Sequence, residues 1–294
     1  MPRSLADIAV IGAGVAGLAC AARLAEHGLP VQVYDKGRQP GGRVARRHRM
    51  GLVFEHGARG YRALVGDLAD RVAIMSRTLI TALAPATGGG WRLFAEGHRL
   101  RAVFGGVVVA VPAPQAALLL RAVAPDLAGR LEPVRMQPLL SALVGLPAPA
   151  GRALDHIRFA SGSVAEALRL PREDEQGAES WILHATPGFS EDNLECDPDA
   201  VAQHLWMRVR RELELTPPAP VYLRGHRWRY ARTETPLGEP CLHDEARRLG
   251  VCGDWCLGDD VDAALASGRA LATRMLEGTG RRRPATGQAR EGTA

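Results

Sequence analysis

Length, composition and charge set the first limits on what this chain can be. It has 294 residues, of which 46% are hydrophobic and 23% charged, and these proportions are typical of globular proteins. They exclude a wholly disordered, collagenous or coiled-coil chain. The length suits one large domain or two domains of ordinary size.

The net positive charge of +5 does not indicate a nucleic-acid-binding protein. Lys36 is the single lysine, so 36 of the 37 basic residues are arginine, and they are spread along the sequence. A nucleic-acid binder would concentrate this charge on one face among aromatic side chains. The densest cluster, Arg281–Arg283, lies in a polar segment with little apolar content. We therefore predict no nucleic-acid partner and a disordered tail over 279–294.

The spacing of the cysteines and the lengths of the apolar runs indicate the cellular compartment. The five cysteines are unevenly spaced, and Cys252 and Cys256 form a CxxxC pattern without a neighbouring histidine. We therefore predict neither a disulfide framework nor a metal site, and a reduced, cytoplasmic compartment. The apolar run Ile8–Ala22 is too short to cross a bilayer, so we expect no membrane partner.

The first 35 residues follow the pattern of a dinucleotide-binding βαβ unit. Ile8–Ile11 predicts a buried strand, Leu18–His27 a helix, and Val31–Asp35 a second strand that ends in a carboxylate. The segment Gly12–Gly17 between the first strand and the helix reads GxGxxG. This order of elements is far more specific than the glycines alone.

Each glycine of this segment has a physical purpose. Gly12 permits the tight turn, Gly14 lets a pyrophosphate approach the backbone, and Gly17 lets the helix pack on the sheet. The helix N-terminus, at Val15 and Ala16, offers free N–H groups to the phosphates.

The carboxylate at the end of the second strand completes the unit. Asp35 can accept hydrogen bonds from an adenosine ribose, and Lys36 stands beside it at the adenosine end. We therefore predict dinucleotide binding.

Two further segments suggest which dinucleotide. Gly41-Gly42-Arg43 follows the second strand, and His56-Gly57-Ala58 follows that; alone, the glycine pair would indicate an ordinary turn. Together with the first glycines and Asp35, these segments resemble the FAD domain of the flavin amine oxidase superfamily. The resemblance implies that the chain at Gly41, Gly42 and Arg43 runs along the pyrophosphate and isoalloxazine side of FAD. It also implies that His56, Gly57 and Ala58 lie on the flavin side of the cofactor.

The C-terminal part carries the other half of the resemblance. Leu249–Cys252 predicts a short strand, Gly253-Asp254-Trp255 breaks it, and Val261–Ala272 predicts a helix. The family ends in this way, which implies that Asp254, after Gly253, hydrogen-bonds the ribityl chain. It also implies that the backbone at Val261, Asp262 and Ala263 faces the flavin ring. We expect Asp259 and Asp260 to cap the helix rather than carry catalytic protons.

The segments between these ends predict the rest of the fold. For the first domain we predict a helix at Leu64–Val72, a strand at Val72–Arg77, a hairpin of Thr78–Leu83 with Trp91–Ala95, and a strand at Val107–Pro112. The resemblance places the backbone near Ile80 against the adenine. For the second domain we predict strands at Leu139–Leu146, Trp181–Thr186 and Val221–Arg232, and a helix at Asp199–Leu215.

These elements predict an α/β fold. A Rossmann-type FAD-binding domain with a parallel sheet would comprise residues 1–112 and 241–278, and a smaller mixed α+β substrate domain residues 113–240.

The second domain narrows the resemblance. Ser180–Pro187 and His226–Ala231 look like segments of the bacterial renalase-like branch. That branch implies non-covalent FAD, hydride transfer from a small reduced substrate, and O2 as acceptor. In true renalases the substrates are isomers of reduced nicotinamide dinucleotides.

We name four candidate residues on the substrate side: His184, His226, Trp228 and Tyr230. Each has a structural alternative, because strand aromatics usually face a core and strand histidines are usually just hydrogen-bonded. Many amine oxidases place a lysine near flavin N5, but Lys36 lies at the adenosine end and cannot fill that role.

One departure from the family pattern leaves alternatives open. After Ala58 the family makes an excursion into the substrate domain, whereas here the chain runs almost directly into the helix around Leu64–Ala69. We expect a more open pocket, and hence either slow turnover or a homodimer that covers the opening. If the chain itself encloses the flavin, His156–Arg169 is the segment we expect to cross the opening, because it matches the family worst and is long enough. The alternatives are a flavin amine oxidase or desaturase for another small molecule, or an FAD-binding scaffold without turnover.

Overall fold

The computed structural model describes residues 7–150, 155–170 and 177–280, so the predicted tail lies outside the described residues from position 281 onward. The described part of the chain forms sixteen strands and seven helices. The strands are β1 Ile8–Ile11, β2 Val31–Tyr34, β3 Arg46–Arg49, β4 Leu52–Glu55, β5 Ala73–Met75, β6 Ile80–Pro85, β7 Trp91–Ala95, β8 His98–Phe104, β9 Gly106–Val109, β10 Arg135–Leu146, β11 His156–Arg158, β12 Val164–Leu170, β13 Glu179–Ala185, β14 Tyr222–Thr235, β15 Leu242–Asp244 and β16 Leu249–Val251. The helices are α1 Val15–Glu26, α2 Arg62–Ala69, α3 Ala113–Leu120, α4 Pro125–Arg130, α5 Pro187–Asp192, α6 Pro198–Glu212 and α7 Val261–Gly280.

The larger sheet has six strands in the order β15-β16-β9-β1-β2-β5. All neighbouring pairs are parallel except β15 with β16 at one edge. Strands β1 (IAVI) and β9 (GVVV) are buried along their whole length, as expected for parallel strands covered on both faces. This confirms the predicted α/β class with a Rossmann-type parallel sheet.

Two layers cover this sheet. Helices α1, α2 and α7 pack on one face, and the three-stranded meander β6-β7-β8 with α3 and α4 packs on the other. Helices α1 and α7 approach closely, because a Cβ at Gly268 would lie 2.2 Å from the carbonyl oxygen of Ala16. Helix α7 continues to Gly280, eight residues past the predicted end at Ala272.

The smaller sheet is antiparallel, in the order β11-β12-β13-β10-β14. Helix α6 covers one face through an apolar cluster that includes Trp181 and Trp206. The β3-β4 hairpin, which the sequence did not predict, covers part of the other face by packing Leu52 and Phe54 against Leu143 and Ile182.

Helices α3 and α4 are a second feature that the sequence did not predict. They belong to residues 113–240, yet Ala116, Leu120 and Leu127 pack in the apolar cluster of the larger sheet. The predicted division into domains at 112 and 240 stays a prediction. Among the described residues, no helix combines the length and the apolar character needed to cross a membrane.

Candidate functional site

A cleft of about 1970 Å³ lies at the carboxyl ends of β1, β2, β9 and β16 and extends to the smaller sheet. The carboxyl ends of parallel strands are where open α/β sheets bind their ligands. Most of the predicted site residues line it: Gly12, Gly14, Val15, Ala16, Asp35, Lys36, Gly41, Gly42, Arg43, His56, Gly57, Ala58, Ile80, His184, His226, Trp228, Tyr230, Gly253, Asp254 and Val261. Gly17, Asp262 and Ala263 lie outside the lining.

The glycine turn after β1 is shaped by close backbone packing. A Cβ at Gly12, whose φ is +109°, would lie 2.3 Å from the Ala110 carbonyl oxygen, and a Cβ at Gly17 would lie 2.0 Å from the Gly12 carbonyl oxygen. At Gly14 a Cβ would meet nothing within 4 Å. Gly14 is also the N-cap of α1, and no side chain caps the helix there. The N-terminus of α1 therefore lines the cleft without a side chain capping it, as a phosphate site requires.

Asp35 connects the end of β2 to this turn. Its Oδ2 accepts a hydrogen bond from the Ala13 N–H at 2.7 Å, and its Oδ1 accepts one from the Gly37 N–H at 2.6 Å. Each carboxylate oxygen keeps a second lone pair, so a ribose hydroxyl can still donate to Asp35. Lys36 is exposed at the same end of the cleft.

An ion pair joins the Gly41-Gly42-Arg43 segment to the Gly253-Asp254-Trp255 segment. Arg43 Nη1 donates to Asp254 Oδ2 at 2.8 Å and Arg43 Nη2 to Oδ1 at 2.5 Å, and Nη1 also donates to the Ala231 carbonyl at 3.1 Å. The Asp254 side chain is only 7% exposed. This forked arrangement is among the stronger side-chain interactions. The resemblance in sequence implied that both residues lie near the cofactor, but it did not predict that they pair.

The Gly253 turn and the start of α7 close this end of the cleft. The Gly253 N–H donates to Ser267 Oγ at 3.0 Å, so α7 holds the turn from behind. Asp260 Oδ1 accepts from the Ala263 N–H at 2.7 Å, which confirms that Asp260 caps α7. Val261 lines the cleft, while the Asp262 side chain is exposed.

Three aromatic side chains, His56, His226 and Trp228, form what we call the ring cluster. The ring centroids of His56 and His226 lie 4.5 Å apart, those of His226 and Trp228 4.3 Å, and His56 and Trp228 stack at 5.5 Å. Trp228 Nε1 donates to the His56 carbonyl at 3.3 Å. The Ala58 N–H donates to the Arg43 carbonyl at 2.9 Å, so the ring cluster is tied to the ion pair.

His184 lies beside the ring cluster on the smaller sheet. Cross-strand pairing places Glu166, His184, Ser141 and His226 in one row over β12, β13, β10 and β14. Ser141 Oγ and His184 Nδ1 lie 2.9 Å apart, within hydrogen-bond distance. His226 Nε2 is buried and has no hydrogen-bond partner among the described residues.

Burial keeps these imidazoles neutral. Desolvation lowers the pKa of His184 to about 4, although the Glu166 carboxylate opposes the shift, and it lowers the pKa of His226 to about 3. The pKa of His56 is lowered for the same reason. Neutral imidazoles can each donate one hydrogen bond and accept another, so the row can orient a substrate without adding positive charge.

Positive charge concentrates in the cleft, which the sequence did not predict. Among the described residues, twelve arginine and lysine side chains line it, against five carboxylates. They come from the separate segments 36–49 and 224–232 and from Arg59 and Arg77. No short sequence window contains this cluster, because only the fold brings the segments together.

Comparison with known proteins bears most directly on the N-terminal βαβ unit. Residues 10–72 match the family of NAD(P)-binding Rossmann-like domains. A 4,4'-diapophytoene desaturase (4,4'-diaponeurosporene-forming) of Staphylococcus haemolyticus is 50% identical over 50 residues, which cover 17% of this chain and 10% of the desaturase. The chain thus matches only about a tenth of the length of this curated relative.

Solved structures extend the likeness to the whole fold. A crystal structure from Exiguobacterium sp. 255-15, assigned to protoporphyrinogen oxidase, has a TM-score of 0.70 at 12% identity and covers 94% of this chain and 100% of its own. Cyclohexylamine oxidase from Brevibacterium oxydans has a TM-score of 0.66 at 12% identity, with the same coverage. At this identity the likeness establishes the fold, a Rossmann-type α/β domain combined with a second sheet.

Proposed function

We propose that this chain is an FAD-dependent oxidoreductase that takes a hydride from a small reduced substrate and holds its FAD non-covalently. The observation that carries the proposal is the Arg43–Asp254 ion pair in the cleft. It joins the two ends of the predicted cofactor motif at the carboxyl edge of the parallel sheet. The solved structures of similar fold include oxidases.

The residues of the cleft fit each part of FAD. The open N-terminus of α1 at Gly14 would hold the pyrophosphate, and Asp35 would accept from the adenosine ribose. Arg43, Asp254 and the first turn of α7 would lie along the ribityl chain and flavin ring. When bound, FAD supplies the acceptor for a hydride. The contribution of the protein is then to position the substrate and exclude water.

The ring cluster and His184 are the proposed substrate-side wall. His184 and His226 would orient the substrate through neutral hydrogen bonds, while Trp228 and Tyr230 would contact a planar group. The segments Ser180–Pro187 and His226–Ala231 further favour the renalase-like reaction, with a reduced nicotinamide dinucleotide isomer as substrate and O2 as acceptor. Five free cysteines in the described residues favour a reducing, cytoplasmic compartment.

A desaturase is the second candidate, because the 50-residue likeness to 4,4'-diapophytoene desaturase supports it. The two reactions differ in the substrate, which is a reduced nicotinamide dinucleotide isomer in one case and a diapophytoene-like molecule in the other. Anaerobic mixing with reduced nicotinamide isomers separates them, since only the first enzyme would bleach its flavin rapidly. A protein that binds FAD but bleaches with neither substrate would be the scaffold alternative, and light scattering would test for the homodimer.

The visible spectrum of the purified chain is the primary test. We expect flavin absorption bands, and release of the flavin by heat or acid because no covalent bond holds it. A colourless protein that cannot be reconstituted with FAD would contradict the proposal.

Asp35→Ala tests the adenosine end. We expect FAD binding to weaken by about 1–3 kcal/mol, because the ribose loses a charged acceptor and the Ala13 N–H of the glycine turn loses the carboxylate that accepts its hydrogen bond. Flavin fluorescence titration measures the affinity. Asp67→Ala, on the exposed surface of α2 and outside the cleft, is the matched control and should bind FAD normally. Unchanged binding by Asp35→Ala would mean that the ribose is held otherwise.

A further inference from the structure

We propose that the substrate of this site carries an anionic group, a carboxylate or a phosphate, bound by Arg47, Arg59 and Arg232 next to the ring cluster. The inference rests on the proposed function, because it concerns the substrate side of the same cleft. It assigns a charge to the substrate and three residues to its recognition.

The three arginines come from different elements but line the same cleft. Arg47 lies on β3, where its Nη1 donates to the Tyr222 hydroxyl at 3.3 Å. Arg59 follows the His56-Gly57-Ala58 segment directly, and Arg232 lies on β14 beyond the ring-cluster residues of that strand. Among the described residues, none of the three forms an ion pair with a carboxylate.

The three charges, which line one cleft, also act on its imidazoles. Arg47 lowers the pKa of both His56 and His226, and Arg59 and Arg232 lower the pKa of His184, in each case in addition to burial. The three guanidinium groups therefore act on both sides of the polar row.

Three other arginines of the cleft differ because their charges are compensated. Arg43 pairs with Asp254, and Arg227 and Arg229 both pair with Glu195. The carboxylate that acts on His184 is Glu166, whose Oε2 lies 2.8 Å from His156 Nε2. Arg47, Arg59 and Arg232 therefore act on the imidazoles of the cleft, where Glu166 is the one carboxylate among the described residues that acts against them.

This arrangement favours an anion and disfavours an amine. Uncompensated guanidinium groups in a cleft attract anions and repel ammonium groups, and their planar fork matches carboxylate and phosphate oxygens. His226 Nε2, buried and without a partner in the described residues, is available for one further hydrogen bond. The charge of this site thus differs from what a cationic amine substrate requires.

Three probes that share one ring and differ in charge test the inference: benzoate, phenyl phosphate and benzylamine. The FAD-loaded chain is titrated with each, and binding is followed by the change in flavin absorbance and by calorimetry. We expect at least one anionic probe to bind about tenfold more tightly than benzylamine, with an advantage that shrinks as salt rises. The tighter of the two anions distinguishes a carboxylate substrate from a phosphate substrate.

Variants then assign the effect to residues. Arg59→Gln and Arg232→Gln should each weaken binding of the preferred anion about tenfold, the scale of a lost charge-assisted hydrogen bond. Arg229→Gln is the matched control on the same strand, because Glu195 already holds its guanidinium at 2.7 Å. It should change anion affinity by about twofold or less. Circular dichroism verifies the fold of each variant. If Arg232→Gln does not fold, Arg59→Gln still tests the inference, because Arg59 lies outside the helices and strands.

The outcomes separate the inference from the proposed function. A chain that never binds FAD overturns both. Three results with a chain that does bind FAD overturn the inference alone. These are tighter binding of benzylamine than of either anion, a flavin absorbance that responds to neither anion, and an affinity for the anion that is unchanged in both variants.

Discussion

Single residues decide the electrostatics of this site, and the histidines show it most clearly. His184 and His226 lie in a cleft that arginines dominate, and burial already keeps both imidazoles neutral. A protonated imidazole here would face several guanidinium groups and little water. The neutral form therefore prevails at pH 7. Each neutral imidazole keeps one nitrogen that donates and one that accepts, and a substrate can use either.

This neutrality predicts a loss of stability in acid. The pKa of His184 is about 4 in the folded chain, below its ordinary value of 6.5, so the unfolded chain binds more protons between these values. The free energy of unfolding should therefore fall as pH drops from 6.5 to 4, by roughly 3 kcal/mol from this residue. Urea denaturation at several pH values measures it. His184→Gln should reduce the dependence by this amount and leave the part that comes from His226, whereas His27→Gln, at an exposed position, should not change it.

How much of the site could be predicted at this scale depends on the kind of residue. Glycines and Asp35 were identifiable because backbone geometry fixes their spacing along one βαβ unit. The roles of Ser141, Ser267 and Arg232 were not, because each depends on a partner from a distant strand or helix. Their side chains carry no local pattern that distinguishes them from surface residues.

Among the elements, those with a regular apolar pattern were predicted well. Strand β1, helix α1 and strand β16 lie within a few residues of their expected bounds. Strand β3, with the sequence RRHR, has no apolar alternation at all and forms because β4 pairs with it and packs on the smaller sheet. Tertiary contacts, rather than local preference, determine such elements.

Among the contacts between elements, the one between α1 and α7 is the easiest to test by mutation. A Cβ at Gly268 would lie 2.2 Å from the Ala16 carbonyl oxygen, so Gly268→Val must push the two helices apart. We expect a loss of about 1–3 kcal/mol in the free energy of unfolding, together with weaker FAD binding, because α1 carries the phosphate turn.

The control for this test is a helical glycine without close neighbours. At Gly66 of α2 a Cβ would meet nothing within 4 Å, so Gly66→Ala should be neutral or stabilise by up to about 1 kcal/mol. Thermal and urea denaturation compare the two variants. Equal stability of Gly268→Val and the unmodified chain would show that the helices can separate without loss.

For the whole molecule, the Arg43–Asp254 ion pair is the contact that spans the chain. It connects residues 211 positions apart, and its bond to the Ala231 carbonyl adds the strand that bears the ring cluster. The turn that follows β16 of the larger sheet and strand β14 of the smaller sheet therefore meet at one guanidinium group.

Arg43→Met should destabilise the entire fold by roughly 3 kcal/mol, because it leaves the buried Asp254 carboxylate without a partner. The double variant Arg43→Met/Asp254→Asn should recover part of this loss. Arg130→Met, which breaks the exposed pair with Glu239, should cost less than about 1 kcal/mol. Urea denaturation of the FAD-free protein measures all three, and similar losses for the exposed and buried pairs would contradict the assignment.

The place of β9 in the larger sheet has a consequence for synthesis. Its two neighbours are β1 and β16, and the ribosome makes about 140 residues between Val109 and Leu249. At about 5–20 residues per second, the wholly apolar edge Gly106–Val109 stays open for roughly 7–30 seconds in each nascent chain. An unpaired edge of this kind is the usual template for pairing with another chain. Crowded polysomes, where such edges from neighbouring chains meet, are therefore the setting in which this protein is most exposed to aggregation.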